Sequence, residues 1–462
     1  MKLSSSATAS AYSIWRVSTA GALQSSLSIT VIKCMRWTRW HGPAEHGRMT
    51  TTAPAPTRDA ARRPGDAQAR APRLLPHWIG FWVIATAFLT EMAFCAVPTP
   101  LYAIYQQRDG FPTTVLTVVF ASYAVGVMVS LYLAGHLSDW LGRRRVILAS
   151  LLINLLAAIL FLVWNDLAGL LVARFVCGLG IGILTATATA HLSELGAAAD
   201  QAQGRSGIVS TFANLGGIGL GPLVGGLLVT WFARPLVVPF AVFAVLLAVL
   251  AVAVAFVPET VERRAERPAY RPQRVAVPAE GRRAFWAAGA AAFGAFAVFG
   301  TFMGLSATFL VGILGLHSHL LAGLAPFVVF TAAALAQVAT ARFPVRRQVA
   351  LAITLASLGL LTVGASALTA SLALFLVGGG IAGAGIGILF RASLTTVAHV
   401  ADPARRGEAL AGVFLIAYAG MTLPPLLTAA ALSVWSAVGV LVGLTLVATA
   451  LVALAGSRML RS

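Results

Sequence analysis

Two ionisable side chains fall inside stretches apolar enough to exclude water, and their chemistry sets the first question. Glu91, in Leu89-Thr-Glu-Met-Ala93, is the one acid placed well inside such a stretch, whereas Asp139, Asp166, Glu194, Asp200 and Glu408 stand at stretch ends or between stretches. A carboxyl group taken out of water favours its protonated form, so it can load and release a proton as its surroundings close and open. Arg174 lies in a second apolar stretch, and an arginine there is costly enough to point to function. Counting a 1.5 Å rise per residue from the stretch ends near Leu101 and Leu167 puts Glu91 roughly 15 Å deep and Arg174 roughly 10 Å deep, so the two are expected to meet. The pair reads as a proton-coupling site. The alternatives are a fixed hydrogen bond or ion pair for Glu91 and backbone carbonyls around Arg174.

The elements that must position this pair are membrane-spanning helices. Of the 462 residues 58% are hydrophobic and only 10% charged, and the mean hydropathy of +0.86 lies far outside the range of soluble domains. Twelve apolar spans, each close to the ~20 residues needed to cross a bilayer, are expected to begin near Trp78, Thr113, Val146, Leu167, Ile208, Pro235, Phe285, Leu320, Val349, Leu372, Ala409 and Ala437. The net charge of +18 resides in short loops rather than in a basic groove interleaved with aromatics, so nucleic acid is not the expected partner. Arg143 to Arg145, Arg205, Arg263 to Arg283, Arg342 to Arg347, Arg405, Arg406, Arg458 and Arg461 all fall on one side of this topology, and only Arg108 and Arg234 on the other. Both termini are therefore expected in the cytoplasm. Arginine far outnumbers lysine, and Ala and Gly abound, which fits a GC-rich bacterial genome and hence an inner, plasma-membrane location.

Composition also divides the chain. Residues 1–73 are rich in Ser, Thr, Ala, Pro and Arg and read as a disordered cytoplasmic extension, with Met49 a candidate true start because both lysines, Lys2 and Lys33, lie upstream of it. Residues 74–257 form a first six-helix half, 258–284 an Arg/Glu/Pro-rich linker, 285–457 a second half and 458–462 a tail. Gly178-Leu-Gly-Ile-Gly-Ile-Leu184 in the fourth span recurs as Gly383-Ala-Gly-Ile-Gly-Ile-Leu389 in the tenth, identical at six of seven positions. Two halves related by a pseudo-two-fold axis are implied. Arg174 corresponds to Gly379 in this register, so its charge is not needed to build the repeated scaffold.

Between the second and third spans stands Gly135-His-Leu-Ser-Asp139-Trp-Leu-Gly142-Arg143-Arg144-Arg145. Glycines permit a sharp turn, Asp139 can cap a helix or pair with a cation, and the arginines favour the cytoplasmic face. The pattern resembles the corresponding loop of the major facilitator superfamily. In the fifth span Gly217-Ile-Gly219-Leu-Gly221-Pro222-Leu-Val-Gly225-Gly226 sets small residues a turn apart around a proline, as expected of a close-packed, kinked helix. It resembles the antiporter motif of the drug:proton members. Arg174 before Gly178, and Pro98 and Pro100 at the end of the first span, are similar to further motifs of these exporters, although Cys177 stands where a glutamine is frequent.

The resemblance implies an all-α major facilitator fold, twelve transmembrane helices in two six-helix halves, working as a monomer that exports small, lipophilic or drug-like molecules in exchange for protons. Glu91 would bind a proton from outside and loosen its hold on Arg174 or on a substrate, and the halves would rock. Gly135, Asp139, Gly142, Arg143 and Arg144 would form a cytoplasmic gate, with Glu408 a partner across the halves. The substrate cavity would lie between the first, fourth, seventh and tenth spans near Phe94, Thr187, Phe302 and Met303, with polar atoms from Tyr123, Asn214, Gln337 and Tyr418; a sparsely charged cavity would suit lipophilic or weakly cationic compounds. Uptake by a proton symporter, export of a sugar or metabolite, and a non-transporting membrane sensor are the other readings. No Gly-x-x-x-x-Gly-Lys-Ser/Thr loop, His-Glu-x-x-His pair or Gly-x-Ser-x-Gly elbow occurs, so neither ATP drive nor an enzyme is indicated, and no metal or cofactor is expected. Topology is checked with reporters: green fluorescent protein fused after Ser462 is expected to fluoresce, while alkaline phosphatase is expected to be inactive there and active when inserted at Gly315.

Overall fold

The computed structural model describes residues 74–461 except His136, Gln203, 262–271, 273–276, 278–280 and Ala404; the side chains of Asp139 and Trp140 also lie outside the description. The expected extension 1–73, its candidate start at Met49 and most of the linker therefore fall outside the described residues. Twelve helices among them are long and apolar enough to cross a membrane, and no strand occurs among them. These are α1 (His77–Ala96), α2 (Thr113–Ala134), α3 (Arg143–Val163), α4 (Leu167–Ala198), α5 (Arg205–Trp231), α6 (Val238–Ala255), α7 (Arg282–Leu314), α8 (His319–Ala339), α9 (Val345–Thr369), α10 (Leu372–Val400), α11 (Arg406–Ala431) and α12 (Ala437–Arg461).

Hydrocarbon offers no hydrogen bonds to a bare backbone, so the chain satisfies its own N–H and C=O groups within each helix. α2, α4, α10 and α12 begin at the expected residues. α3, α5, α7, α9 and α11 begin three or four residues earlier, at or beside their arginines. The helix continues through the interface because a long aliphatic stem lets the guanidinium reach water from an apolar segment. α12 likewise runs on through Arg458 to Arg461.

Helix starts and helix contacts both repeat between the halves. Asp166 caps α4 by accepting from the Gly169 N–H at 2.8 Å, and Ser371, its counterpart in the repeat register, caps α10 by accepting from Leu374 N–H at 3.4 Å. A Cβ on Gly178 would stand 2.1 Å from the Tyr123 carbonyl of α2, and one on Gly383 would stand 2.3 Å from the Val329 carbonyl of α8. Gly180 similarly abuts Asn154 of α3, and Gly385 abuts Ala356 of α9. The shared glycines thus seat α4 on α2 and α3, and α10 on α8 and α9, in matching fashion. Between halves, α2 packs on α11 and α5 on α8.

The fifth-span glycines serve two neighbours. Added Cβ atoms on Gly217, Gly221 and Gly225 would lie 2.7, 2.0 and 2.7 Å from the carbonyls of Leu89 and Ala93 on α1 and of Val97 just past its end, while Gly226 would strike the His319 carbonyl of α8 at 2.6 Å. Pro222, inside α5, lends its carbonyl to the same contact with α8, where a Cβ on Gly323 would come within 2.1 Å. A π-helical turn, Phe212–Gly216, precedes this stretch. Gly221→Val is expected to lower the melting temperature of the detergent-solubilised protein, consistent with an overpacking cost of about 1–3 kcal/mol or more. Gly443→Ala, where nothing lies within 4 Å, is expected to leave it unchanged.

Candidate functional site

A cavity of ≈ 580 Å³ lies between the halves, in the part of the bundle nearest the arginine-rich loops. The repeat builds its facing walls: Thr185, Ala186, Thr189 and Ala190 of α4 stand opposite their register counterparts Phe390, Arg391, Leu394 and Thr395 of α10, and all eight line the space. Ala186, Thr189 and Ser193 are solvent-exposed although they belong to a central helix, so water reaches this face. Asn214, Gln337 and Tyr418 contribute polar atoms from α5, α8 and α11. Asn214 sits in the π-helical turn, a distortion often found at functional positions. A second cavity of ≈ 310 Å³ lies at the opposite end, lined in part by Thr99, Tyr102, Gln106 and Met303.

Of the eight side chains expected around the substrate, Asn214, Gln337 and Tyr418 line the main cavity and Met303 the opposite one. The other four are elsewhere. Phe94 is fully buried within the first half, its ring 6.3 Å from Phe161 and 6.1 Å from Phe243. Thr187 is buried and donates to the Ile183 carbonyl at 2.7 Å; it is one residue, about 100° of helix rotation, past the cavity-facing Ala186. Phe302 borders a space of only ≈ 30 Å³ inside the second half. Tyr123 is buried, with its hydroxyl 3.5 Å from Cys95 Sγ and adjacent to Tyr418.

Glu91 and Arg174 do not pair. Both are fully buried, yet each has its own partners. Glu91 faces α3, where Ser150 Oγ and Asn154 Nδ2 each approach its Oε2 at 2.5 Å. Ser150 Oγ also lies 2.9 Å from the Gly180 carbonyl. A hydroxyl has one proton to donate, so both contacts are hydrogen bonds when the Glu91 carboxyl donates to Ser150 and Ser150 donates to Gly180. Among the described residues no cation is a partner of Glu91. Arg174 lies beyond it towards the opposite end, donating to the Cys95 carbonyl at 2.5 Å and to the Tyr102 hydroxyl through Nε at 2.7 Å and through Nη2. The Tyr102 and Tyr123 rings stand 5.3 and 5.6 Å from its guanidinium carbon. Burial pushes the Tyr102 phenol up, which keeps its hydroxyl proton in place. Axial counting predicted compatible depths but carries no rotation about the helix, and Glu91 is turned into the first half rather than towards Arg174.

At the arginine-rich end, Gly142 adopts φ +98°, and a Cβ there would fall 2.4 Å from Glu259 Oε2. Glu259 Oε1 accepts from the Arg143 N–H at 2.8 Å and so caps α3. Arg143 also donates to Ser138 at 2.7 Å and meets Glu194 at 3.4 Å, and Thr260 donates to Glu194 at 2.5 Å. Arg144 reaches the Val257 carbonyl at 3.0 Å. Gly135 ends α2; the side chain of Asp139 lies outside the described residues. Glu408, expected to reach across the halves, instead meets Arg405, three residues earlier, at 3.4 Å as an ion pair without a hydrogen bond. Glu259 was missed because its partner loop is more than a hundred residues away in sequence. Arg391 was missed as well, although an arginine two residues beyond the second glycine repeat is the same kind of signal that marked Arg174.

Comparison with known proteins follows this architecture. The chain is 28% identical over 153 residues to Multidrug resistance protein 2 of Bacillus subtilis, covering 33% of this chain and 38% of that protein. It is 31% identical over 77 residues to the Arabinose-proton symporter of the same organism, 17% of each chain, and 31% over 78 residues to the Glucose transporter GlcP of Staphylococcus epidermidis, 17% of this chain and 18% of that one. These alignments span well under half of each relative. Solved structures match over most of the chain: the human organic anion transporter MFSD10 with a TM-score of 0.60 at 19% identity, covering 82% of this chain and 100% of that one, and the nucleoside transporter NupG with 0.62 at 11%, covering 83% and 99%. A bacterial homologue of the human lysosomal transporter Spinster, inward-facing and unoccupied, matches with 0.59 at 15%, covering 83% and 98%. With the Major Facilitator Superfamily profile matching residues 80–365, the two-half bundle and its central cavity belong to a member of that superfamily, and the chain is a membrane transporter of its kind.

Proposed function

We propose that the protein exports small molecules in exchange for protons by alternating access, and that Glu91 is its proton-binding group. The observation that carries this reading is the Glu91 enclosure: a fully buried carboxyl with two polar neighbours and, among the described residues, no cation beside it, a site suited to holding a proton, because an unpaired buried charge is strongly disfavoured. Substrate would enter the ≈ 580 Å³ cavity from the arginine-rich side, which the positive-inside rule makes cytoplasmic. The glycine and proline contacts of α5 with α1 and α8 support the antiporter resemblance by tying the Glu91-bearing helix to the other half through one closely packed element. Arg174, held by Tyr102 and the Cys95 carbonyl, would sense closure at the opposite end, since Tyr102 lines the cavity there. Arg143, Glu194 and Glu259 would latch the cytoplasmic end of the first half.

Reconstitution in liposomes with an internal pH dye, and a panel of lipophilic compounds of both charge signs, tests the coupling. Glu91→Gln is nearly isosteric, and its amide oxygen placed where Oε2 stands still accepts from Asn154 and can accept from Ser150, so the protein is expected to fold and bind but to lose substrate-triggered proton flux by at least about tenfold, a change of ~1.4 kcal/mol in barrier. Unchanged flux would remove Glu91 from coupling. Separately, Tyr102→Phe removes an acceptor from a buried guanidinium and is expected to destabilise the protein by about 1.5–3 kcal/mol in thermal melts, whereas Tyr132→Phe, on an exposed side chain, is expected to change little.

A further inference from the structure

Arg391 has no part in the coupling or gating groups above, and its surroundings specify a ligand. It projects from the last third of α10 into the main cavity and is half-buried there. Its one hydrogen bond among the described residues is from Nη1 to the Gln337 carbonyl at 3.3 Å, which leaves most of a five-donor fork unused there. No Asp or Glu is among the described residues lining the cavity, and Arg391 is the only charged residue among them. Its register counterpart on the facing wall is Ala186, so the repeated scaffold does not require a charge at this position.

Resting on the transport reading and narrowing it, we propose that the substrate is an amphiphilic anion whose carboxylate or comparable oxyanion docks on Arg391. The planar guanidinium matches an oxyanion in two parallel hydrogen bonds. Asn214 and Tyr418 add polar side chains to the same cavity. An apolar body then has Phe390 and Phe414, with ring centroids 5.8 Å apart, together with Leu131 and Leu394. The volume of ≈ 580 Å³ falls in the range of pockets for small organic ligands. A cationic body would instead face a positive charge with no acid among the described lining residues to offset it, so weakly cationic compounds are the disfavoured class.

The experiment compares matched probes on the full-length protein in detergent: 2-naphthoate, 2-naphthamide and 2-naphthylmethylammonium, and the corresponding 4-phenylbutyrate series, with affinity read from ligand-dependent melting shifts. The carboxylate is expected to bind at least about tenfold more tightly than its amide or ammonium analogue, and Arg391→Gln to remove about tenfold of that affinity while sparing the amide. Arg391→Lys is expected to restore part of it. A second readout needs no substrate: in Thr189→Cys, a negatively charged thiosulfonate reagent is expected to react faster relative to a positively charged one when Arg391 is present, and Arg391→Gln is expected to abolish the preference. Equal or stronger binding of the ammonium probes, no carboxylate preference in either series, or reagent rates indifferent to Arg391 would each overturn the proposal. Neither readout requires proton flux, so the anion preference is read whether or not coupling runs through Glu91. An intact anion preference without proton flux would therefore sink the coupling reading alone, and proton flux driven by neutral or cationic compounds would sink this one alone.

Discussion

The structure depends on one constraint, that helices in hydrocarbon associate through close backbone approach, because no apolar surface is withdrawn from water when they meet. Lipid tails are as apolar as leucine side chains, so association rests on packing and on hydrogen bonds. Gly178 against the Tyr123 carbonyl and Gly383 against the Val329 carbonyl fix the central helix of each half on its neighbours. Gly221 against the Ala93 carbonyl does the same for α5 on α1. Because these contacts leave no room for a side chain, each half is locked internally. The contacts between halves run along α2 with α11 and α5 with α8, while α4 and α10 face each other across open space. Glycine placement thus packs each half tightly around a cavity, and Gly226 and Gly323 bring α5 and α8 equally close across the halves.

On that frame the molecule handles three buried or half-buried ionisable groups in three ways. Glu91 is enclosed with polar neighbours and, among the described residues, no counter-ion, an arrangement suited to a neutral carboxyl. Arg174 cannot be neutralised, and it is held by a phenol, a carbonyl and two aromatic faces. Arg391 is left facing water in the cavity with a single carbonyl partner among the described residues. These are the available answers to the cost of removing charge from water: lose the charge, surround it, or keep it wet.

The legibility of this arrangement in the sequence follows the range of the interactions involved. Spans, their number and the repeat are local or periodic, and Thr113, Leu167, Leu372 and Ala437 start helices where hydropathy places them. The starts of α3, α5, α7, α9 and α11 were set too late because a polar arginine on an interfacial turn resembles a loop residue until its stem is considered. Depth along a helix is also readable, but rotation is not: Glu91 and Phe94 both turn into the first half, and Thr187 misses the cavity that Ala186 lines. Asn214, Gln337 and Tyr418 stood out as polar residues in otherwise apolar spans, a signal independent of rotation until packing selects the face. Glu259 needed the linker to be docked beside α3, a contact that no local pattern encodes.

The two proposals, proton binding at Glu91 and anion binding at Arg391, constrain each other physically. When the halves close over an empty cavity, Arg391 loses its water without gaining a partner, and an unpaired buried charge carries a penalty of several kcal/mol, on the order expected for such ions. An anion docked on the guanidinium removes most of that penalty, so occupancy by substrate is what permits closure. The return journey without substrate must then draw its free energy from elsewhere, and a proton captured at Glu91 is the source the coupling reading provides. The charge balance also fits export. Sending out one monoanion while admitting one proton moves two elementary charges in the direction an inside-negative potential favours, each worth about 2.3 kcal/mol per 100 mV. Uptake of the same anion with a proton moves none. A cation in the Arg391 position would lose both advantages, since it would meet repulsion in the cavity and leave the cell against the potential.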